Sequence, residues 1–164
     1  MIIVSDTTPI ISLIKADHLE LLEQLFQEVL VPEAVYQELT SNTTFEQESE
    51  TVKNCPFIRI TKVDNLQSVT IFRKVTGLDA GESEAIVLAD ERHASLLLMD
   101  EHKGRSVAKQ MGLAITGTIG ILLQAYDEKL ISKAETELCL QKMKECGIRI
   151  SQALYGLVAD HISD

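Results

Sequence analysis

The sequence predicts an α/β fold, a parallel sheet covered by helices on both faces. Three observations lead there. Short unbroken apolar runs recur along the chain, as in strands buried on both sides. Stretches of helical spacing separate them, the alternation that a parallel sheet requires. Two of the runs, in MIIVSD and SLLLMD, stop at an aspartate, Asp6 and Asp100. Sites in such sheets form beyond the carboxyl ends of the strands, so these two acids are the first candidates for chemistry.

Residues 2–5 read as the first strand, and Pro9–Lys15 and His18–Phe26 as helices, the second with Leu19, Leu22 and Leu25 on one face. Glu28–Val31 is a second strand, closed by Pro32 at the start of a helix over Glu33–Leu39. Ser41–Asn54 is polar and acid-rich without apolar period, and is expected to be a mobile surface segment. Phe57–Thr61 alternates like a strand, and Leu66–Val75 has helical spacing. LDAGESEAIVLADERH reads as a helix of about four turns. After the strand Leu96–Met99 come HKGRSVAKQMG, a helix closed by Gly112, the strand LAITG and the helix TIGILLQAYDEK. From Ser132 two or more helices follow, broken at Gly147.

The 164 residues suit one domain, with a helical extension from about residue 128. No apolar run approaches the roughly 20 residues of a membrane span, and the apolar start lacks a basic flank. A cytoplasmic protein without membrane association is expected. Cys55, Cys139 and Cys146 form no zinc pattern, and His18, His93, His102 and His161 are as scattered. The net charge of −10 argues against broad, non-specific nucleic-acid binding. It leaves room for a nuclease, whose catalytic carboxylates are acidic themselves.

Asp6 has two readings, a helix cap and a metal ligand. In the next helix, Glu33 lies in the first turn, where a carboxylate favours the helix dipole. Glu38 shares the apolar face of Ala34 and Val35, so it is the better functional candidate. Glu82 is flanked at helical angles by Ala85, Ile86 and Ala89 and is expected to point inward, whereas Glu84 shares the side of Glu91 and faces water. Asp79, three residues before Glu82, also allows a capping box, and both roles can coexist. Asp6, Glu38, Glu82 and Asp100 can therefore face one cleft. Four close carboxylates repel one another unless cations stand between them. Oxygen donors without His or Cys select Mg²⁺ or Mn²⁺, and such ions serve phosphodiester hydrolysis.

His102, Arg105 and Lys109 share one helix face beside Asp100, as a solvated basic stripe or as contacts to substrate phosphates. Thr7, Thr116 and Thr118 bring hydroxyls to strand ends, and TGTIG opens a helix whose free N–H groups suit an anion. A haloacid-dehalogenase phosphatase would need an Asp where Thr8 stands, and a response-regulator receiver would need paired acids after the first strand. No GxxxxGK[ST], no GxGxxG and no nucleophile elbow occurs.

The stretches VSDTTPIISLIKA, VPEAVYQEL, LDAGESEAIVLA, LLLMDEHKGRSVAKQMG and LAITGTIGILLQA resemble the PIN domain family, the fold of VapC-type toxin ribonucleases. GIRIS and ALYG suit a prokaryotic subgroup of it. The resemblance implies a three-layer sandwich, an acidic pocket binding Mg²⁺ or Mn²⁺, and cleavage of single-stranded RNA. It carries the family's acids onto Asp6, Glu38, Glu82 and Asp100, with Glu at the third place where Asp is usual; an alignment slipped by two residues would choose Glu84. Toxin relatives imply a small antitoxin protein and a homodimer. A catalytically silent PIN-like module that binds RNA or protein is the alternative.

Overall fold

A computed structural model describes residues 1–41 and 46–163. The chain forms β1 (Ile3–Ser5), α1 (Thr7–Lys15), α2 (Leu21–Phe26), β2 (Val29–Val31), α3 (Glu33–Ser41), α4 (Glu46–Lys53), β3 (Ile58–Ile60) and α5 (Leu66–Thr76). It continues through α6 (Ala80–Glu91), β4 (Leu96–Leu98), α7 (His102–Gln110), β5 (Ile115–Thr116), α8 (Thr118–Asp127), α9 (Lys133–Glu145) and α10 (Gln152–Ile162).

The strands make one five-stranded parallel sheet in the order β3-β2-β1-β4-β5. In the central strands both faces are covered, with Ile3 and Val4 of β1 and Leu97 and Leu98 of β4 all buried, whereas the edge strand β3 buries Ile58 and exposes Ile60. Each such side chain removed from water contributes roughly 1.5–3 kcal/mol before the entropy of ordering is counted. Helices flank the sheet on both faces in a three-layer α/β sandwich. The chain steps outward from β1 through β2 to β3, then returns to the other side of β1 for β4 and β5. That reversal puts the topological switch point between β1 and β4, where an open parallel sheet leaves a crevice at its carboxyl end. Register sets Ser5 beside Leu98, and the Asp6 N–H donates to the Leu98 carbonyl at 2.9 Å. Asp6 and Asp100 therefore leave neighbouring strands on either side of the switch point.

Three local expectations are corrected. The first helix begins at Thr7, two residues before Pro9, because a proline in the first turn forfeits only an N–H that has no helical partner there. The second helix begins at Leu21, with His18–Glu20 in a turn that follows Asp17 at φ 57°. The segment expected to be a surface loop contains α4. That helix is held by one apolar anchor, the buried Val52, and by the Ser49 hydroxyl, which donates to the Thr40 carbonyl at 2.9 Å. Part of that expectation, at residues 42–45, lies outside the described residues.

Gly77 closes α5 at φ 75°, with its N–H donating to the Arg73 carbonyl, and turns the chain toward Asp79 and the start of α6. At the far end, Gly147 separates α9 from α10 at φ 86°. Cys139, Leu140 and Met143 of α9, with Val158 and Ile162 of α10, are buried in the same apolar cluster as the sheet.

Candidate active site

Asp6 stands at the N-cap position of α1, yet its side chain makes no capping hydrogen bond. The residue is 5% exposed, a costly place for a charge. Burial pushes the group up to about 7; the Thr7 N–H opposes this, and the carboxylates of Glu82, Glu38 and Asp79 add to it. The cap reading of Asp6 thus has no side-chain hydrogen bond behind it.

Glu38 reaches the same place from α3. Its Oε2 accepts the Thr7 hydroxyl at 2.8 Å, so the residue after Asp6 holds the neighbouring acid. The other oxygen, Oε1, lies against Gly81 of α6, on the spot where a side chain there would begin. Burial raises the Glu38 carboxyl above its ordinary range, partly offset by the Thr7 hydroxyl and reinforced by Asp79.

Glu82 fills the capping role expected of it. It closes a capping box with Asp79: the Glu82 N–H donates to Asp79 Oδ1 at 2.8 Å, and the Asp79 N–H donates to Glu82 Oε2 at 3.1 Å. It also belongs to the acidic group. Burial raises its carboxyl, the Asp79 N–H opposes, and Asp79, Glu101 and Glu38 raise it further.

Asp100 is held differently. Thr118 gives its backbone N–H to Oδ1 at 2.7 Å and its hydroxyl to Oδ2 at 2.6 Å. The helix start expected to hold an anion thus binds a carboxylate of its own chain, and both Thr118 donors are used in doing so. Thr116 packs its hydroxyl against Gly120 within the first turn of α8.

The basic stripe divides. His102 and Lys109 are exposed on α7, whereas Arg105 is half-buried and donates from Nη1 to the Met99 carbonyl at 2.9 Å. Glu84 does not face water as expected. It accepts the Ala34 N–H at 3.2 Å and caps α3, because α6 packs its Gly81 and Glu84 side directly on that helix. Asp79 and Glu101 were not expected to join the acids. Asp79 carried a usable signal, since LDAGE sets it one turn before Glu82. Glu101 caps α7 through the N–H groups of Lys103 and Gly104, at 3.0 and 2.6 Å, and this turns it toward Glu82.

Among the described residues, no Lys, Arg or His forms an ion pair with Asp6, Glu38 or Glu82. No group of three or more His, Cys, Asp or Glu among them is drawn together tightly enough to hold a metal ion. Glu38, Glu82 and Asp100 each have partners of their own: the Thr7 hydroxyl, the Asp79 N–H and Thr118. The donor chemistry still suits a hard divalent cation, with carboxylate oxygens, no imidazole or thiolate, and raised proton affinities in three of the acids.

Among the described residues no helix is long and apolar enough to cross a membrane. No curated protein matches the chain. The model of one family does, over residues 2–164, and its description is a PIN domain. Sheet order, strand-end acids and this match agree: the chain belongs to the PIN domain family.

Proposed function

We propose that the chain is a metal-dependent endoribonuclease that cleaves single-stranded RNA. PIN domains are generally nucleases; the metal, the RNA substrate and the roles below are our reading. Asp6, Glu38, Glu82 and Asp100 would hold Mg²⁺ or Mn²⁺, which when bound would lower the pKa of a water and offset charge building on the phosphoryl group. Asp6 and Asp100 supply oxygens from adjacent strand ends, Glu38 and Glu82 from the helices beside them. Thr7 and Thr118 orient Glu38 and Asp100 by their hydroxyls. The observation that carries this reading is Asp6, a buried carboxyl among other carboxylates with no cationic side chain paired to it, at the switch point of the sheet. A role as the toxin of a toxin–antitoxin pair, acting in the cytoplasm as a homodimer, belongs to the same proposal. A net charge of −10 suits an antitoxin segment that is basic.

One observation favours a second reading, a PIN-like module that binds RNA or protein without cutting. Glu82 is committed to a capping box, and the acids do not converge on one point. Calorimetric titration of wild type and Asp6→Asn with Mn²⁺ and Mg²⁺, followed by incubation with single-stranded RNA, separates the two. Metal binding and cleavage that both vanish in Asp6→Asn are the expected outcome. A folded wild type that binds no metal and leaves RNA intact overturns the nuclease.

A further inference from the structure

Two of the five arginines are half-buried, Arg92 and Arg105. Arg92 is matched in the usual way: it pairs with Asp64 at 3.6 Å and donates to the Lys62 carbonyl at 3.3 Å. Arg105 has the Met99 carbonyl, and no ion pair joins it to a carboxylate among the described residues. In a chain with 25 acidic and 15 basic residues, that is an unusual state for a desolvated cation. The neighbouring acid does not need it either. Both oxygens of Asp100 are already bonded, to the Thr118 N–H and hydroxyl.

The position is specific. A Cβ at Gly117 would lie 3.0 Å from Arg105 Nη1 and 2.6 Å from Asp100 Oδ1, so the guanidinium and the strand-end acid meet over a residue without a side chain. The tether to Met99 uses one of five N–H donors and holds one nitrogen of the guanidinium at the carboxyl end of β4, leaving four donors of a planar fork. Such a fork matches the paired oxygens of a phosphodiester, and ordering it beforehand lowers the entropy lost on binding. His102 and Lys109 are exposed on the same helix, whereas Arg105 is half-buried and hydrogen-bonded to the backbone.

We infer that Arg105 is a phosphate-binding residue that anchors the backbone of a single-stranded nucleic acid at the β4–β5 end of the acidic cleft. The nature of the polyanion rests on the nuclease reading, but the contact requires only binding, not cleavage.

The test is fluorescence-anisotropy binding of a short labelled single-stranded RNA, and of its DNA counterpart, over a series of salt concentrations. Wild type, Arg105→Met and Arg105→Lys are compared with Lys129→Met, which removes a charge at the opposite end of α8, and melting curves check each fold. Arg105→Met is expected to bind about tenfold more weakly, with a salt slope smaller by roughly 0.7, one single-strand phosphate contact. Arg105→Lys should fall between, because it keeps the charge and loses the fork, and Lys129→Met should match wild type. A folded Arg105→Met with wild-type affinity and slope overturns the inference, as does wild type that binds neither strand. Equal loss for RNA and DNA locates the contact on phosphate, while loss confined to one of them overturns a pure phosphate contact. Arg105-dependent binding without cleavage in Mn²⁺ or Mg²⁺ would sink the nuclease and leave this inference standing.

Discussion

Thr118 holds Asp100 with two donors at once, its backbone N–H at 2.7 Å and its hydroxyl at 2.6 Å. Eighteen residues separate the two in sequence. The pair ties the end of β4 to the start of α8, and it places a carboxylate at a helix N-terminus, where the dipole favours it.

Thr118→Val keeps the buried shape and removes the hydroxyl. Hydrogen bonds to charged groups contribute about 1.5–3 kcal/mol, so a stability loss of about 2 kcal/mol is expected by urea denaturation at neutral pH. Thr118→Ser should retain most of it. Equal stability of the valine variant and wild type would show that the hydroxyl adds nothing.

Asp6 gives the fold a pH dependence of defined sign. Its proton is held up to about 7 in the folded chain, against an ordinary value of 3.8 when unfolded. Between those values the folded state binds more protons, so stability falls as pH rises through that window and levels off above it. The slope is at most ~1.4 kcal/mol per pH unit. Asp6→Asn removes this dependence. Denaturation midpoints of the two proteins should lie close together near the low end of the window, separate as pH rises to about 7 and stay apart above it, with the asparagine variant the more stable. Parallel profiles would mean that Asp6 ionises normally.

Glu82→Gln separates the two roles of that residue. Glutamine serves a capping box as glutamate does, so the helix start should survive with little change in melting temperature. Removing the charge takes away one of the repulsions that hold Asp6 up. The stability step assigned to Asp6 should therefore move to lower pH. Glu84→Gln, whose carboxylate caps α3, should leave the step where it is.

Gly81→Ala opposes two effects. Alanine favours a helix over glycine by about 1 kcal/mol. Here the added Cβ would fall on the Glu38 carboxylate, which the Thr7 hydroxyl holds in place, whereas Val35 Cγ2 at 3.5 Å would be an ordinary contact. Loss of stability, not gain, is expected by thermal melting. Mn²⁺ binding should weaken by about tenfold, ~1.4 kcal/mol. A stabilised variant with unchanged Mn²⁺ binding would contradict the seating of Glu38 on α6.

Most of the elements were legible in the sequence because they depend on local period, whereas the switch point came with the strand order of the folded sheet. Unbroken apolar runs between helical stretches specify a parallel sheet, and the runs that stop at Asp6 and Asp100 mark carboxyl ends of strands, which the folded sheet then makes neighbours. The capping box of Asp79 and Glu82 was legible for the same reason, since its partners are three residues apart. The helix α4 was not, because its single apolar anchor, Val52, leaves no period to read.

Which acids share a space was decided only by tertiary packing. A helical wheel gives the angle of Glu84 around its own axis but not which helix lies there. The packing of α6 on α3 turned that position from solvent to the Ala34 N–H and brought Gly81 under Glu38. The contact of α6 with α7 set Glu101 near Glu82, and the sheet order brought Thr118 to Asp100. Sequence by itself determined where each carboxylate leaves its own strand or helix. The folded chain determined its neighbours, and through them its proton affinity, because burial and mutual repulsion act through space and not along the chain.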